Sequence, residues 1–240
     1  MTNARNRKTP RGPEQIPLAF RTWGGRRKGA GRPAGKGRRS VKHRARVRVK
    51  SYEPQHTTLR LVDGLARLRR WKIFAEIVSA IRAAQRETFR VVEFSVQDGH
   101  VHLITESSGW KALSDGTRAL EIRIARAINR VLGRKGKVFG DRYHARGLGS
   151  PREVRNALVY VLQNARKHLA QRGIVLRRDW LDRFSSAPFF EGWDRSAMEA
   201  ASALRELIRT EDPRSEPKTW LLMKGWKRSG LLRATEIPAS

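Results

Sequence analysis

The sequence contains no cysteine. That removes disulfides, thiolate nucleophiles and cysteine-built zinc sites from consideration. Acid is scarce as well: 22 Asp and Glu stand against 52 Lys and Arg, for a net charge of +30. Such a surplus repels itself unless a polyanion is close by. Nucleic acid fits, because each cation that neutralises a phosphate releases counterions and raises affinity. An anionic membrane surface is the other polyanion, yet no apolar run approaches the ~20 residues needed to cross a bilayer. The amino terminus is polar and basic, without the apolar segment of a secretory signal. These absences lead to the expectation of a cytoplasmic, soluble protein with no membrane partner. Hydrophobic residues still make up 39% of the chain, enough for a core.

Residues 1–50 hold 17 Lys or Arg and one acid, Glu14. They include the Gly/Pro-punctuated stretch Gly24 to Pro33, with Arg26, Arg27, Lys28 and Arg32. This composition buries too little apolar surface to fold alone and reads as a flexible arm. As a functional element it would grip DNA without sequence preference; as a bland one it is a solvated tail. Gly31-Arg32-Pro33 is similar to arms that enter the minor groove.

Order is expected from about residue 55. His56 to Val62 alternates and is rich in β-formers, a strand; Asp63-Gly64 then turns into a helical pattern over about 66–86. Phe89 to Val96 and His100 to Thr105 read as strands joined by a tight turn at Gln97-Asp98-Gly99. A helix of about 110–133 follows, broken at Gly133 to Gly136, and a fourth strand falls within Val138 to Leu148. Ser150-Pro151-Arg152-Glu153 is a capping box with proline at the first helical position, so a helix should run to about Arg172. The order β-α-β-β-α-β predicts an α+β, ferredoxin-like antiparallel sheet, with the capped helix as an extra element. The stretch 176–240 carries Trp180, Phe184, Phe189, Phe190, Trp193, Trp220 and Trp226, with a short helix near Arg195 to Arg209. Its aromatics have two readings: packing on the main domain, as tryptophan does wherever a core is available, or stacking on nucleic-acid bases.

The chemistry concentrates in few residues. His100 and His102 alternate along a strand, so both imidazoles leave one face, about 6–7 Å apart at the backbone. Two ligands can converge on a metal across that gap; alternatively the pair is half buried and satisfied by backbone groups. In the capped helix, Val154, Val161, Leu162, Ala165 and Leu169 fall within roughly 60° of Leu158 and form the core stripe. Tyr160 and Asn164 fall together off that stripe, one turn apart, where side chains touch. The spacing therefore presents a phenol and an amide as a pair away from the helix's own hydrophobic face.

His100-Val101-His102 resembles the His-hydrophobic-His signature of the HUH endonuclease superfamily, and Ser150 to His168, with Tyr160-Val161-Leu162-Gln163-Asn164, resembles the catalytic helix of its single-tyrosine branch. The match is to REP-associated tyrosine transposases, which carry the transposase IS200-like domain, and spans about residues 55–172. Phe139-Gly140-Asp141-Arg142-Tyr143 is similar to that family's aromatic-x-x-Arg-Tyr segment, while Gly99 stands where the family often has Asn and Ala165 where it often has Pro. The resemblance implies a ferredoxin-like sheet with a following tyrosine helix. It also implies a divalent cation, Mg²⁺ or Mn²⁺, held by His100, His102 and Asn164, with Tyr160 as the nucleophile that cuts single-stranded or hairpin DNA through a 5′-phosphotyrosine. Arg142, Tyr143 and Lys167 are then candidates for DNA contact or for support of the site, and His144 reads as structural. The alternative is a catalytically silent relative that binds hairpin DNA or RNA. Either would act as a monomer or a homodimer.

Overall fold

The computed structural model describes residues 49–65 and 67–238. Arg26, Arg27, Lys28 and Arg32, assigned above to a DNA-gripping arm, lie outside the described residues. Alternation of side chains builds four strands: β1 (Gln55–Arg60), β2 (Phe89–Val96), β3 (His100–Ser107) and β4 (His144–Gly147). They form one antiparallel sheet in the order β2-β3-β1-β4, the ferredoxin-like order.

Each strand sends alternate residues to opposite faces. Leu59 of β1, Val101 and Leu103 of β3, and Val91 and Phe94 of β2 join one cluster with α1 (Trp71–Ala84) and α2 (Trp110–Val131). Val91 and Phe94, three apart, share that face because the β2–β3 register slips between Val91 and Glu93. The intervening residues Val92 and Ile104 join a second cluster with Val154, Leu158, Val161 and Leu162 of α3 (Pro151–Gln171). The sheet is thus covered on both sides, with α3 alone on the second.

The start of α3 follows its capping sequence. Ser150 Oγ accepts from the Glu153 amide at 3.3 Å, and the Glu153 carboxylate accepts from the Gly149 amide at 2.9 Å. The start of α1 does not follow the pattern: the helix begins at Trp71 rather than near residue 66. Tertiary contacts hold the preceding turn open. The Leu68 amide donates to the Asp98 carbonyl at 3.1 Å, and the Arg69 guanidinium makes two 2.8 Å bonds to the buried Asp182 carboxylate.

The C-terminal stretch is mostly packed. Trp193 and Trp226 are fully buried behind α3, beside α4 (Arg195–Ile208) and α5 (Trp220–Met223). Trp220 departs from this and stays half exposed. The same stretch bonds along the outer side of β2. The amides of Val96 and Ser186 donate to the carbonyls of Phe184 and Phe94, and the Ser215 amide donates to the Val91 carbonyl. Among the described residues, no helix is long and apolar enough to cross a membrane.

One position tests the packing of α2 on the sheet. Replacing a mid-helix glycine by alanine ordinarily stabilises by about 1 kcal/mol. At Gly116, however, the added methyl would overlap the buried Phe89 ring, and overpacking costs about 1–3 kcal/mol. The clash outweighs the propensity gain, so Gly116→Ala should lower the urea midpoint; a raised midpoint would contradict this packing.

Candidate functional site

The sheet face under α3 carries a row of imidazoles. Register places Thr58 of β1 opposite both His102 of β3 and His144 of β4, and His56 opposite Ile104 and Arg146. His56, His100, His102 and His144 therefore share the face on which Ile104 meets α3. The rings of His100 and His102 stand edge to face with centroids 4.6 Å apart. Helix α3 brings Tyr160 down onto this row, its ring 5.0 Å from His102 and 5.4 Å from His56.

Asn164 lies one turn further along α3 on the same edge and is buried. His168, one more turn on, is close enough to His100 and His102 for its charge to act on both. The helix edge Tyr160-Asn164-His168 thus runs alongside the imidazoles. Tyr160 and Asn164 are not turned away from the packed side of α3, as the wheel predicted. The C-terminal stretch packs behind the helix and widens its buried surface beyond a single stripe. Ala157, Leu158, Val159 and the whole run from Val161 to Arg166 are buried, with the Tyr160 phenol half buried between them.

Burial lowers the pKa of three of these imidazoles. Desolvation, then the neighbouring His100 and His56, holds His102 down at about pKa 2. Desolvation, then Arg146 and His144, lowers His56 to about 4. His100 is lowered too, by burial and then by His168 and Arg60. His56, His100 and His102 are therefore held towards the neutral form that binds metals.

The resemblance implies a divalent cation here, and the unsatisfied atoms of these residues test the fit. His102 Nδ1 lies 3.1 Å from Thr58 Oγ1 and 3.3 Å from His56 Nε2. His102 Nε2, on the other side of the ring, is buried without any partner. The amide nitrogen of Asn164 is likewise buried and unpartnered. No bond to that nitrogen fixes which end of the amide points there, and a half turn presents the oxygen. Among the described residues, no three His, Cys, Asp or Glu side chains gather to hold a metal. The residues that could hold one are His100 and His102 with the amide of Asn164.

Other candidates divide. Tyr143 is buried in the cluster of α1 and α2, on the far side of the sheet from the histidines. Its burial there leaves little surface for DNA contact; Tyr143 directly precedes β4, whose first residue, His144, lies on the opposite face. Arg142 is exposed in the loop before β4. Lys167 lies on the Tyr160 edge of α3, about two turns along. His56 is the residue that sequence reasoning missed. Its signal was available: once β1 is placed beside β3, alternation puts His56 and Thr58 on the His102 face.

Beside Tyr160 opens a cavity of about 450 Å³, lined by His56, Arg146, Arg155, Asn156, Tyr160 and Glu236 among others. Arg155 is held to the Glu236 carboxylate by bonds of 2.8 and 2.9 Å. The cavity adjoins both the phenol and two guanidinium groups, a setting suited to an anion.

No protein-family model matches this chain, and no curated protein matches it. Among solved structures, the chain is similar to a REP-associated tyrosine transposase bound to a REP hairpin. The alignment covers 75% of this chain and 93% of that one, at 14% identity and a TM-score of 0.47.

The lowered pKa of His56 carries a sign. Below about pH 6.5 the unfolded chain takes up a proton that the folded His56 refuses. Its contribution to stability is thus complete above 6.5 and shrinks as pH falls towards about 4. Thermal unfolding of the metal-free protein should show a smaller fall in Tm between about pH 7 and 4.5 for His56→Gln than for the parent. Parallel curves would refute the lowered pKa.

Proposed function

We propose that this chain is a metal-dependent transposase-type nuclease that cuts and rejoins single-stranded DNA, hairpins included, through a covalent bond to Tyr160. One observation carries the reading: the Tyr160 ring packs on His102, whose buried Nε2 has no partner. A nucleophile thus stands beside an unused ligand atom. The net charge of +30 supports a polyanionic substrate.

His100, His102 and Asn164 would hold Mg²⁺ or Mn²⁺, the nitrogen ligands favouring Mn²⁺. Bound there, the cation would polarise a non-bridging oxygen of the scissile phosphate and offset the charge that repels a nucleophile. Thr58 and His56 steady the His102 ring from its Nδ1 side, leaving Nε2 directed away from them. The Tyr160 phenol gives up its proton as its oxygen attacks phosphorus, the bond to the 3′ oxygen breaks, and that oxygen takes up a proton to leave as a 3′-OH. The 5′-phosphotyrosine keeps the bond energy, so a 3′-OH attacking in reverse rejoins strands. Arg142 and Lys167 add positive charge around the phosphate. A second reading is a silent hairpin-binding protein, for which the net charge of +30 alone would suffice.

With Mn²⁺ and labelled hairpin oligonucleotides, the parent protein should form a covalent adduct that chelator and Tyr160→Phe both abolish. Binding without an adduct would select the silent reading. Calorimetric titration with Mn²⁺ should show His56→Leu weakening metal binding about tenfold to a hundredfold, the usual effect of losing a partner of a ligating histidine. An unchanged affinity would remove His56 from the metal's support.

A further inference from the structure

Residues 218–233 contain five Lys or Arg and no Asp or Glu. Their inward side chains are anchored: Leu221, Leu222 and Trp226 are buried in the α3 cluster, and the Trp226 indole donates to the Leu222 carbonyl at 2.8 Å. Apart from Ser229, their outward side chains are cationic or apolar. Lys218, Lys224, Lys227, Arg228 and Arg233 are exposed and form no ion pair among the described residues. Trp220 is 49% exposed yet held in place. A Cβ on Gly225 would come within 2.7 Å of its ring, so the indole rests directly on that backbone, and the Arg228 guanidinium lies 4.9 Å from the ring centroid.

We infer that this turn is a second binding surface for single-stranded DNA, with Trp220 as a stacking platform and Lys224, Lys227 and Arg228 as phosphate contacts. A half-exposed indole resting on backbone beside Arg228, in a turn whose other cations form no ion pair, matches what a strand requires: a flat apolar surface for a base and positive charge for its backbone. Charge complementarity selects the occupant. The first 50 residues and a second copy of the chain carry the same sign as the patch and would be repelled.

Position links the patch to the candidate site. Arg155 donates to the carbonyls of Gly230 and Leu231 at the end of the turn, and also lines the cavity beside Tyr160. From Arg155 to Tyr160 is five residues of α3, about 7–8 Å along the helix axis. A strand bound at Tyr160 can continue over Arg155 onto the turn. The inference rests on the single-stranded DNA substrate proposed above, but not on cleavage.

The test uses the full chain carrying Tyr160→Phe, so that binding is read without cutting. Fluorescence anisotropy with a labelled oligo(dT) should show Trp220→Ala lowering affinity about fivefold to a hundredfold, partly restored in Trp220→Phe. The triple variant Lys224→Ala, Lys227→Ala, Arg228→Ala should reduce the slope of log affinity against log salt by about 2, or about 0.7 for each phosphate no longer neutralised. Unfolding midpoints verify that each variant folds, and the triple variant keeps Trp220 seated on the Gly225 backbone. Unchanged affinity and slope in the folded variants would overturn the inference. So would a defect confined to vesicles containing phosphatidylserine, which would make the patch a membrane surface. Failure of the parent to form an adduct would strike the nuclease reading alone.

Discussion

Helix α3 lies against the sheet face that α1 and α2 leave uncovered, and Ile104 marks where the two meet. A strand face bearing a row of imidazoles is a poor surface to bury by itself. Val154, Leu158, Val161 and Leu162 supply the apolar contact that makes the seating favourable, at about 1.5–3 kcal/mol for each side chain fully withdrawn from water. The C-terminal stretch then closes over the back of the helix through Trp193 and Trp226. Held from both sides, α3 keeps the phenol of Tyr160 against His102 and His56. The tail outside the motif-bearing region is thus part of what positions the site.

The treatment of other buried polar groups gives the imidazole row its meaning. Glu106, almost wholly buried, accepts from Arg90 and from the amides of Lys218 and Thr219. Asp182 accepts from Arg69 and from the Phe184 amide. Glu93 accepts from Ser186 and Arg214. These carboxylates are satisfied by partners recruited from distant parts of the chain, as burial demands. His102 Nε2 and the Asn164 amide nitrogen are also buried, and they are left without one. Thr117 Oγ1, Asn129 Oδ1, Gln163 Oε1 and Arg166 Nε are unpartnered too, so it is their place beside Tyr160 that singles out the His102 and Asn164 nitrogens.

Much of this was legible in the sequence because it is governed by local rules. Alternation marked β2 and β3, the Ser150-Pro151-Arg152-Glu153 cap marked α3, and the family resemblance, resting on His100, His102, Tyr160 and Asn164, marked the candidate site residues. What escaped depends on neighbours. The start of α1 is set by Asp98 and Asp182, both far along the chain. The surroundings of Tyr160 depend on a C-terminal stretch whose docking no helical wheel can register. His56 needed the strand order, and Tyr143 needed the orientation of a short strand. The aromatic tail had two readings, and burial separates its members: Trp193 and Trp226 are core, whereas Trp220 stays half exposed.

The bonds from Phe184, Ser186 and Ser215 to β2 have a consequence for assembly. An outermost strand with unsatisfied backbone groups is a template on which another polypeptide can add. Here the chain's own tail occupies those groups along β2, whereas β4 pairs only with β1 among the described residues. Among the described residues, growth of the sheet by strand addition is therefore directional: one flank is sealed from within, and the side left open is that of His144 to Gly147, at the margin nearest the imidazoles.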